Sequence, residues 1–343
     1  MRTLPLSVLD LAPVTASGDT TEALGHTIEL ARSADELGLT RFWVAEHHGM
    51  PGIASSSPPV LIGAIAAATS RIRVGSGGVM LPNHAPLVVA EQFGTLAALH
   101  PGRIDIGIGR APGTDPRTAA ALRRDLTHER VDEFPQALGE LACFLRNEFP
   151  EGHPYERLRG VPQAAQTPPI WLLGSSLFSA ELAGLLGLPF AFAHHFAGGG
   201  TLAALAKYRE SFRPGRALDA PYTMIAVQAV CAETDEAAHA LALPAALSFL
   251  RLRQGQPGPV PTVEQAAAYP WTDLEREFVA DRWVGQAIGS PATVATALDG
   301  LLEATAADEL MLTTQVYDVK DRVRSIELVR SLFGDIPAGL QQV

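Results

Sequence analysis

The sequence predicts an α/β protein built as a single (β/α)8 TIM barrel with insertions, spanning residues 1–343. Three observations favour this fold class. Short apolar runs alternate with stretches of helical spacing, which is the pattern of parallel strands joined by helices. The apolar runs number eight, as a closed barrel of this kind requires. No shift in composition marks a linker, so the chain is interpreted as one domain.

Each predicted strand is an apolar run that stops at glycine, proline or a polar residue. The eight runs are 4–11, 41–48, 72–81, 104–108, 169–176, 189–197, 222–231 and 309–314. The run at 169–176 shows no alternation of apolar and polar residues, which indicates a strand buried on both faces.

Helical spacing follows most of the strands. The predicted helices cover 20–37, 58–70, 86–99, 131–149, 177–187, 201–212, 235–252 and 323–332. Thr20 or Thr21 can cap the first helix, and Gly38 ends it. A polar passage at 111–131 and two insertions, at 150–168 and 253–285, interrupt the pattern.

An open, doubly wound sheet with a nucleotide-binding fingerprint is the alternative fold. The fingerprint is expected directly after the first strand, but the run at 4–11 has none. The segment GIGRAPG at 107–113 contains G-x-G, but its third glycine lies one place too far along and the unit is in mid-chain. The barrel is therefore the preferred interpretation.

Composition narrows the class of ligand. The net charge of −11 argues against nucleic acid and against anionic membrane surfaces, because both attract basic patches. No apolar run approaches the roughly 18 residues of a membrane span, and the N-terminal segment lacks the features of a signal peptide. The two cysteines, Cys143 and Cys231, are expected to be unpaired core residues. We therefore expect a cytoplasmic protein that binds a small molecule.

In a parallel barrel the carboxyl ends of the strands face one cavity, which forms the active site. The residues at the predicted ends are Asp10, Glu46, His47, His48, Gly77, Gly78, Gly109, Arg110, Gly174, Ser175, Ser176, His194 and His195. The glycines clear space for a flat ring. Arg110 and the serine turn before a helix can cradle a phosphate. Simple turns, a solvated arginine and a plain helix cap are the structural alternatives.

Two histidine pairs raise the question of a metal site. Adjacent strand residues point to opposite faces, so one histidine of each pair can face the cavity. A mononuclear site needs about three converging ligands, and the first strand lacks the His-x-His pair typical of barrel hydrolases. No metal is predicted, although a metal-dependent barrel hydrolase remains a rival interpretation.

Several motifs in order resemble those of the bacterial luciferase-like flavin monooxygenases. They are EHH at 46–48, RVGSGGVMLPNHAPLVVAEQ at 73–92, GRIDIGIGRAPG at 102–113, WLLGSS at 171–176 and GLPFAFAHHF at 187–196. The resemblance covers nearly the whole chain. It implies a (β/α)8 barrel that uses reduced FMN from a separate flavin reductase and dioxygen as co-substrate, and that forms a homodimer through its second and third helices.

The resemblance also assigns roles to residues at the strand ends. Gly77 and Gly78 match a non-prolyl cis peptide under the flavin ring. The phosphate would bind at Arg110 and at the turn formed by Gly174, Ser175 and Ser176. His47 matches the active-site histidine, which suits general acid/base work.

Other positions are assigned to the substrate side of the site. His194 falls where luciferases have an aromatic neighbour of the ring, and Asp10 ends the first strand. Gly109 stands where luciferases carry a reactive cysteine, which argues against aldehyde light emission. Relatives place a mobile active-site loop at the position of 253–285, where Trp271 or Trp283 would close over the substrate.

Three activities remain as hypotheses. The FAFAHHF motif is similar to tailoring oxygenases of aromatic natural-product pathways, so hydroxylation or epoxidation of such a scaffold is preferred. The same barrel can instead use the deazaflavin F420 as a hydride carrier. A flavin-binding subunit without turnover is the third hypothesis.

Overall fold

A computed structural model of the protein describes residues 3–111, 116–123 and 133–334. Its ten parallel strands are β1 (Leu6–Asp10), β2 (Arg41–Val44), β3 (Arg73–Ser76), β4 (Val79–Met80), β5 (Ile104–Gly109), β6 (Ile170–Gly174), β7 (Phe190–Phe192), β8 (Thr223–Cys231), β9 (Ala287–Gly289) and β10 (Glu309–Thr313). Eight of them pair in the order β1-β2-β3-β5-β6-β7-β8-β10, and β10 pairs back onto β1. The predicted (β/α)8 barrel is confirmed.

The helices surround this barrel. They are α1 (Thr20–Glu36), α2 (Pro58–Ala68), α3 (Pro86–Leu99), α4 (Pro116–Arg123), α5 (Phe134–Arg146), α6 (Leu177–Leu185), α7 (His194–Ala197), α8 (Thr201–Ser211), α9 (Asp235–Arg253), α10 (Val263–Ala267), α11 (Asp273–Trp283), α12 (Pro291–Thr305) and α13 (Val319–Arg330). None of the helices in these described ranges is long and apolar enough to cross a bilayer.

Three details differ from the predicted elements. The run at 72–81 divides into β3 and β4, on either side of the cis peptide bond Gly77–Gly78. The run at 189–197 is a strand only to Phe192, because a short helix begins at His194. Strand β9 and helix α12 were not predicted, although Ser290 caps α12 and proline occupies its first turn.

The two insertions differ from one another. The segment 150–168 has no helix or strand. The segment 253–285, predicted as an interruption of the pattern, instead contains α10 and α11. Each of these helices begins with a capping box, Thr262 with Gln265 and Thr272 with Glu275. The polar passage 111–131 contains α4, and its remainder lies mostly outside the described residues.

Apolar packing separates into two layers. Leu6, Val8 and other outward-facing strand residues join the helices in the outer core. Inward-facing residues form a smaller cluster inside the barrel: Leu9, Trp43, Ala45, Trp171, Ala191, Met224, Ala226 and Met311. Because successive strand residues alternate between faces, each strand contributes to both layers.

A buried charged network fills the barrel below this inner cluster, near the amino ends of the strands. Arg41 of β2 donates from Nη1 to Asp105 Oδ2 (3.0 Å) and from Nε to Glu309 Oε1 (3.0 Å). Arg73 Nε donates to Asp105 Oδ1 (2.9 Å). All atoms of Asp105 and Glu309 are inaccessible to solvent, and Arg41 is 1% exposed. The network therefore joins β2, β3, β5 and β10 inside the barrel.

Mutual attraction stabilises the charges of Asp105 and Arg41 in this network. Burial by itself would raise the pKa of the Asp105 carboxyl, but Arg41 and Arg73 outweigh it and lower that pKa below its usual range. Burial would likewise lower the pKa of Arg41, and the charges of Glu309 and Asp105 reverse the shift. Ser7 Oγ and Tyr222 Oη donate two further hydrogen bonds to the Glu309 carboxylate, at 2.5 and 3.0 Å.

Candidate active site

A cavity of about 400 Å³ opens at the carboxyl ends of the barrel strands. Its volume lies in the range of small-molecule sites. The strand-end residues that line it are Leu9, Leu11, Ala45, His47, Gly77, Gly78, Gly109, Arg110, Gly174, Ser175, Ser176, Ala193 and His195. The predicted tips of β3, β5 and β6 therefore meet around a single cavity.

Backbone forms part of the cavity surface at Gly77, Gly78 and Gly109. The Gly77–Gly78 bond is cis, as the resemblance implies. A Cβ atom on Gly78 would lie 2.8 Å from Gly107 O, and one on Gly109 would lie 2.8 Å from Met80 Sδ. Since such contacts are too close for real Cβ atoms, these positions accept only glycine without a shift of their neighbours. The result is a surface that a flat ring can approach closely.

Arg110 and the start of α6 lie on one side of the cavity. The Arg110 guanidinium stacks over the ring of Phe178 in the first turn of α6, 4.4 Å from the ring centre. Ser176 is the N-cap of α6 and accepts from Ser179 N (3.5 Å). The first N–H groups of a helix lack partners within it, so they add to the positive field of the arginine. This arrangement suits a phosphate group.

His47 lies on the cavity wall directly after β2. Its backbone N–H donates to Ser55 O (3.0 Å), which fixes the loop. The imidazole Nδ1 is buried and has no hydrogen-bond partner among the described residues. Burial lowers the pKa of His47 below its usual value, against the opposing charge of Glu46. The ring is therefore neutral near pH 7 and able to accept a proton.

Glu46 points away from the cavity into a cluster of two histidines. His48 Nε2 and His84 Nε2 both donate to Glu46 Oε1 at 2.8 Å, and Met80 N donates to Oε2 (3.1 Å). Burial would raise the pKa of Glu46, but these hydrogen bonds, above all that of His84, lower it. The three side chains have the chemistry of a cation site and lie close enough together for one. Their hydrogen bonds join the loop that carries His47 to the segment after β4.

His194, which the sequence analysis assigned to the substrate, is not among the residues that line the cavity. Its Nε2 donates to Gly285 O (2.9 Å), and its Nδ1 lies 2.7 Å from Thr201 Oγ1. His195 lines the cavity instead. The strand ends at Phe192, so the alternation of faces no longer decides which histidine turns inward.

His195 is held as a neutral ring. Its Nδ1 donates to Ala226 O (3.2 Å), which leaves Nε2 as the unprotonated nitrogen. Burial lowers the pKa of His195 to about 4, with a smaller contribution from the positive charge of Arg282. His195 therefore offers the cavity a hydrogen-bond acceptor at neutral pH.

Asp10, the other residue that the sequence analysis assigned to the substrate, is also not among the lining residues. Thr27 Oγ1 donates to Asp10 Oδ2 (2.6 Å), and Arg322 forms a short ion pair with Oδ1. Its neighbours Leu9 and Leu11 face the cavity, so Asp10 points outward by alternation. The side chain ties β1 to α1 and α13.

The wall formed by α9 and α11 was not identified from the sequence, apart from Trp283. Phe249, Arg282 and Trp283 line it. The Arg282 guanidinium lies 3.6 Å from the centre of the Phe249 ring. Trp271 is not among the lining residues, and its Nε1 donates to Ala266 O (2.9 Å). The capping boxes mark α10 and α11 in the sequence, but not the direction of their side chains.

Fold and cavity together define a (β/α)8-barrel protein with a small-molecule site at the carboxyl ends of its strands. The sequence model of the luciferase-like monooxygenase family matches residues 4–309. The chain belongs to the luciferase-like monooxygenase family, whose members use a flavin or the deazaflavin F420.

Three known proteins illustrate the similarity. A luciferase-like monooxygenase of Escherichia coli K12 is 44% identical over 327 residues, which are 95% of this chain and 96% of the relative. The N-acetyl-S-alkylcysteine monooxygenase of Bacillus subtilis is 46% identical over 193 residues, 56% of this chain and 58% of that protein. The crystal structure of apo-MsnO8 superposes with a TM-score of 0.87 at 39% identity, covering 96% and 98% of the two chains.

Proposed function

We propose that the protein is a monooxygenase that uses reduced FMN and dioxygen to transfer one oxygen atom to an organic substrate. The observation that carries the proposal is the meeting of four features around one cavity: the Gly77–Gly78 backbone, Arg110, the Ser175–Ser176 turn and His47. They provide space for a ring, a cradle for a phosphate and a neutral base.

The residues that line the cavity have the chemistry needed to bind the ring and the phosphate of FMN. The backbone of Gly77, Gly78 and Gly109, which lines the cavity, would lie against the ring. Arg110, Ser175 and Ser176 would hold the phosphate beside the start of α6. When bound, reduced FMN supplies the two electrons with which dioxygen is activated.

The protein's own residues then control water and protons. Leu9, Leu173, Ala191 and Phe192 give the inner cavity an apolar lining, which excludes water from the reacting groups. His47, neutral and lacking a partner at Nδ1, would accept and return a proton beside the ring. His195 presents an acceptor nitrogen to the same space.

The preferred reaction is hydroxylation or epoxidation of an aromatic scaffold of the natural-product type. Phe249 and Trp283 on the outer wall offer aromatic surface for such a substrate. A thioether is the second candidate substrate, because a relative that is 46% identical over 193 residues is named for N-acetyl-S-alkylcysteines.

We expect Arg110→Gln to weaken FMN binding by about 10- to 100-fold, because charge-assisted hydrogen bonds contribute about 1.5–3 kcal/mol. Quenching of FMN fluorescence on titration with protein measures the dissociation constant. Arg213→Gln, which removes an exposed arginine outside the cavity, serves as the control. Equal FMN affinity in the wild type and Arg110→Gln would contradict the phosphate site.

F420 as a hydride carrier remains the alternative cofactor, and parallel titrations with FMN and F420 separate the two. Tighter binding of FMN, together with oxygen uptake when reduced FMN is supplied, supports the proposal. Tighter binding of F420, without oxygen uptake, would favour the hydride-transfer alternative. A noncatalytic flavin-binding subunit would bind FMN but transfer no oxygen.

A separate flavin reductase is the proposed source of reduced FMN. The support is the sequence at the end of β1, which carries no dinucleotide fingerprint. Reduction of FMN by NADH in the presence of this protein alone would contradict this part of the proposal.

The proposed oligomer is a homodimer formed by α2 and α3. Both helices expose valines, Val60 at 74% and Val88 at 46%. We expect Val60→Asp to shift the mass from dimer to monomer in sedimentation equilibrium, since a buried carboxylate would lose its hydration. A monomeric wild type at micromolar concentration would contradict the dimer.

A further inference from the structure

Arg282 is a half-buried cation without an acidic partner among the described residues. It lines the cavity from α11, and its guanidinium lies over the face of Phe249, 3.6 Å from the ring centre. Burial lowers the pKa of its guanidinium, and no neighbouring carboxylate offsets that shift. Arg41 and Arg322, the two most buried arginines among the described residues, both have carboxylate partners.

A guanidinium in this setting lacks a counterion. Removing a cation from water is costly unless an anion or several acceptors replace the water. The chain has 37 acidic residues and a net charge of −11, yet no described carboxylate pairs with this arginine. Stacking on Phe249 holds the planar group in place while its N–H donors stay available.

The hydroxyl of Ser248 is a second group without a partner on the same wall. Ser248 precedes Phe249 in α9 and lines the cavity, and its Oγ is buried with no hydrogen-bond partner among the described residues. Buried polar groups are nearly always hydrogen-bonded. A ligand atom that accepts from both the arginine and the hydroxyl would satisfy both groups.

This wall is distinct from the proposed phosphate cradle. Arg110 follows β5 and lies beside α6, whereas Arg282 packs on the helix after β8, three strands further round the barrel. The charge of Arg282 acts on His195, so the arginine is close to the histidine side of the cavity. Arg110 and Arg282 therefore lie in two different parts of the cavity.

We propose that Arg282, with Ser248, binds the carboxylate of the substrate, so that the protein acts on organic acids with an apolar body. This inference rests on the proposed function, since it assigns the substrate of the same site. One guanidinium and one hydroxyl match the single charge of a carboxylate. The Arg110 cradle, with a helix start and two serines, matches the larger charge of a phosphate.

The apolar body of the acid would lie along Phe249 and Trp283. Trp283 is itself stacked on His239, with ring centres 5.3 Å apart, which fixes the aromatic surface. The acid group would then be held at the outer wall, and the end that receives oxygen would extend toward His47 and the glycine surface.

Matched pairs of ligands test the proposal by calorimetry. The probes are 4-phenylbutanoate, indole-3-propanoate and octanoate, each with its primary amide, titrated into the protein with and without FMN. We expect at least one acid to bind the wild type about tenfold more tightly than its amide. In Arg282→Gln the acid and the amide should bind within threefold of one another, whereas Arg282→Lys should keep part of the preference.

Arg276→Gln is the matched control, because it removes an exposed arginine of the same helix, outside the cavity; it should keep the acid preference. The inference is overturned if no acid binds more tightly than its amide, or if the preference survives in Arg282→Gln. It is also overturned if Arg282→Gln weakens FMN binding as Arg110→Gln does, since Arg282 would then belong to the cofactor site. An acid preference in a protein that binds no FMN would reject the proposed function and leave this inference standing.

Discussion

Asp105→Ala is expected to lower the free energy of unfolding by about 3–5 kcal/mol, the usual cost of breaking a buried ion pair. Asp105 accepts from Arg41, Arg73 and Trp43, the last from Nε1 at 3.1 Å. Without this carboxylate, Arg41, which is buried in the wild type, loses an anionic partner. Denaturation by urea, followed by circular dichroism, measures the change.

The control for Asp105 is a carboxylate in an exposed ion pair. Glu233 contacts Arg324 at 3.3 Å, and the two side chains are 68% and 53% exposed; Glu233→Ala should cost less than about 1 kcal/mol. Because the folded-state pKa of Asp105 is lowered, its stabilisation is present above the unfolded pKa near 3.8 and is lost as the pH falls through the lower folded value. A loss below 1 kcal/mol in Asp105→Ala at neutral pH would refute this account of the network.

His47→Gln is expected to reduce turnover by about 10²- to 10⁴-fold, the usual contribution of a general acid or base. FMN affinity should stay within about twofold of the wild type, because His47 is not part of the proposed phosphate cradle. Oxygen transfer under saturating reduced FMN, compared with FMN titration, separates the two effects.

The pH dependence gives a second readout for His47. Its pKa is lowered from 6.5 by burial, so the neutral base is present at pH 7 and activity should fall as the pH drops through that lowered value. The acid limb should disappear in His47→Gln. His26→Gln, a substitution in α1 outside the cavity lining, should keep the wild-type profile. Equal oxygen transfer in the wild type and His47→Gln would contradict the acid–base role of His47.

Much of the architecture is predictable from the sequence, because eight apolar runs with helical stretches between them leave few arrangements other than a closed barrel. The strand tips were predictable for the same reason, since parallel strands place all their carboxyl ends on one side. Gly77, Arg110 and Ser175 accordingly meet at the cavity.

The direction of individual side chains was harder to predict. In strands buried on both faces, apolar and polar residues do not alternate. The sequence therefore did not show that the Asp10 side chain points outward while Leu9 and Leu11 point into the barrel. At His194 and His195 the strand has already ended, and the onset of α7 decides which ring enters the cavity.

Contacts between distant segments were not predictable from local pattern. Arg41 is separated by 64 residues from Asp105 and by 268 from Glu309, and each stands alone in its own strand. Arg282 and Phe249 likewise meet only because α9 and α11 fold over the barrel mouth. Such pairs depend on the closed fold rather than on spacing along the chain.

The charged network at the amino ends of the strands also determines at which end of the barrel ligands can enter. It fills one end of the barrel with tightly bonded side chains, so that end offers no passage. In the proposed reaction, cofactor, oxygen and organic substrate would therefore enter and leave at the opposite end, where the cavity lies at the strand tips. A ligand bound deep in the cavity would be covered by one bound at the outer wall, so we expect the deeper ligand to bind first and to dissociate last.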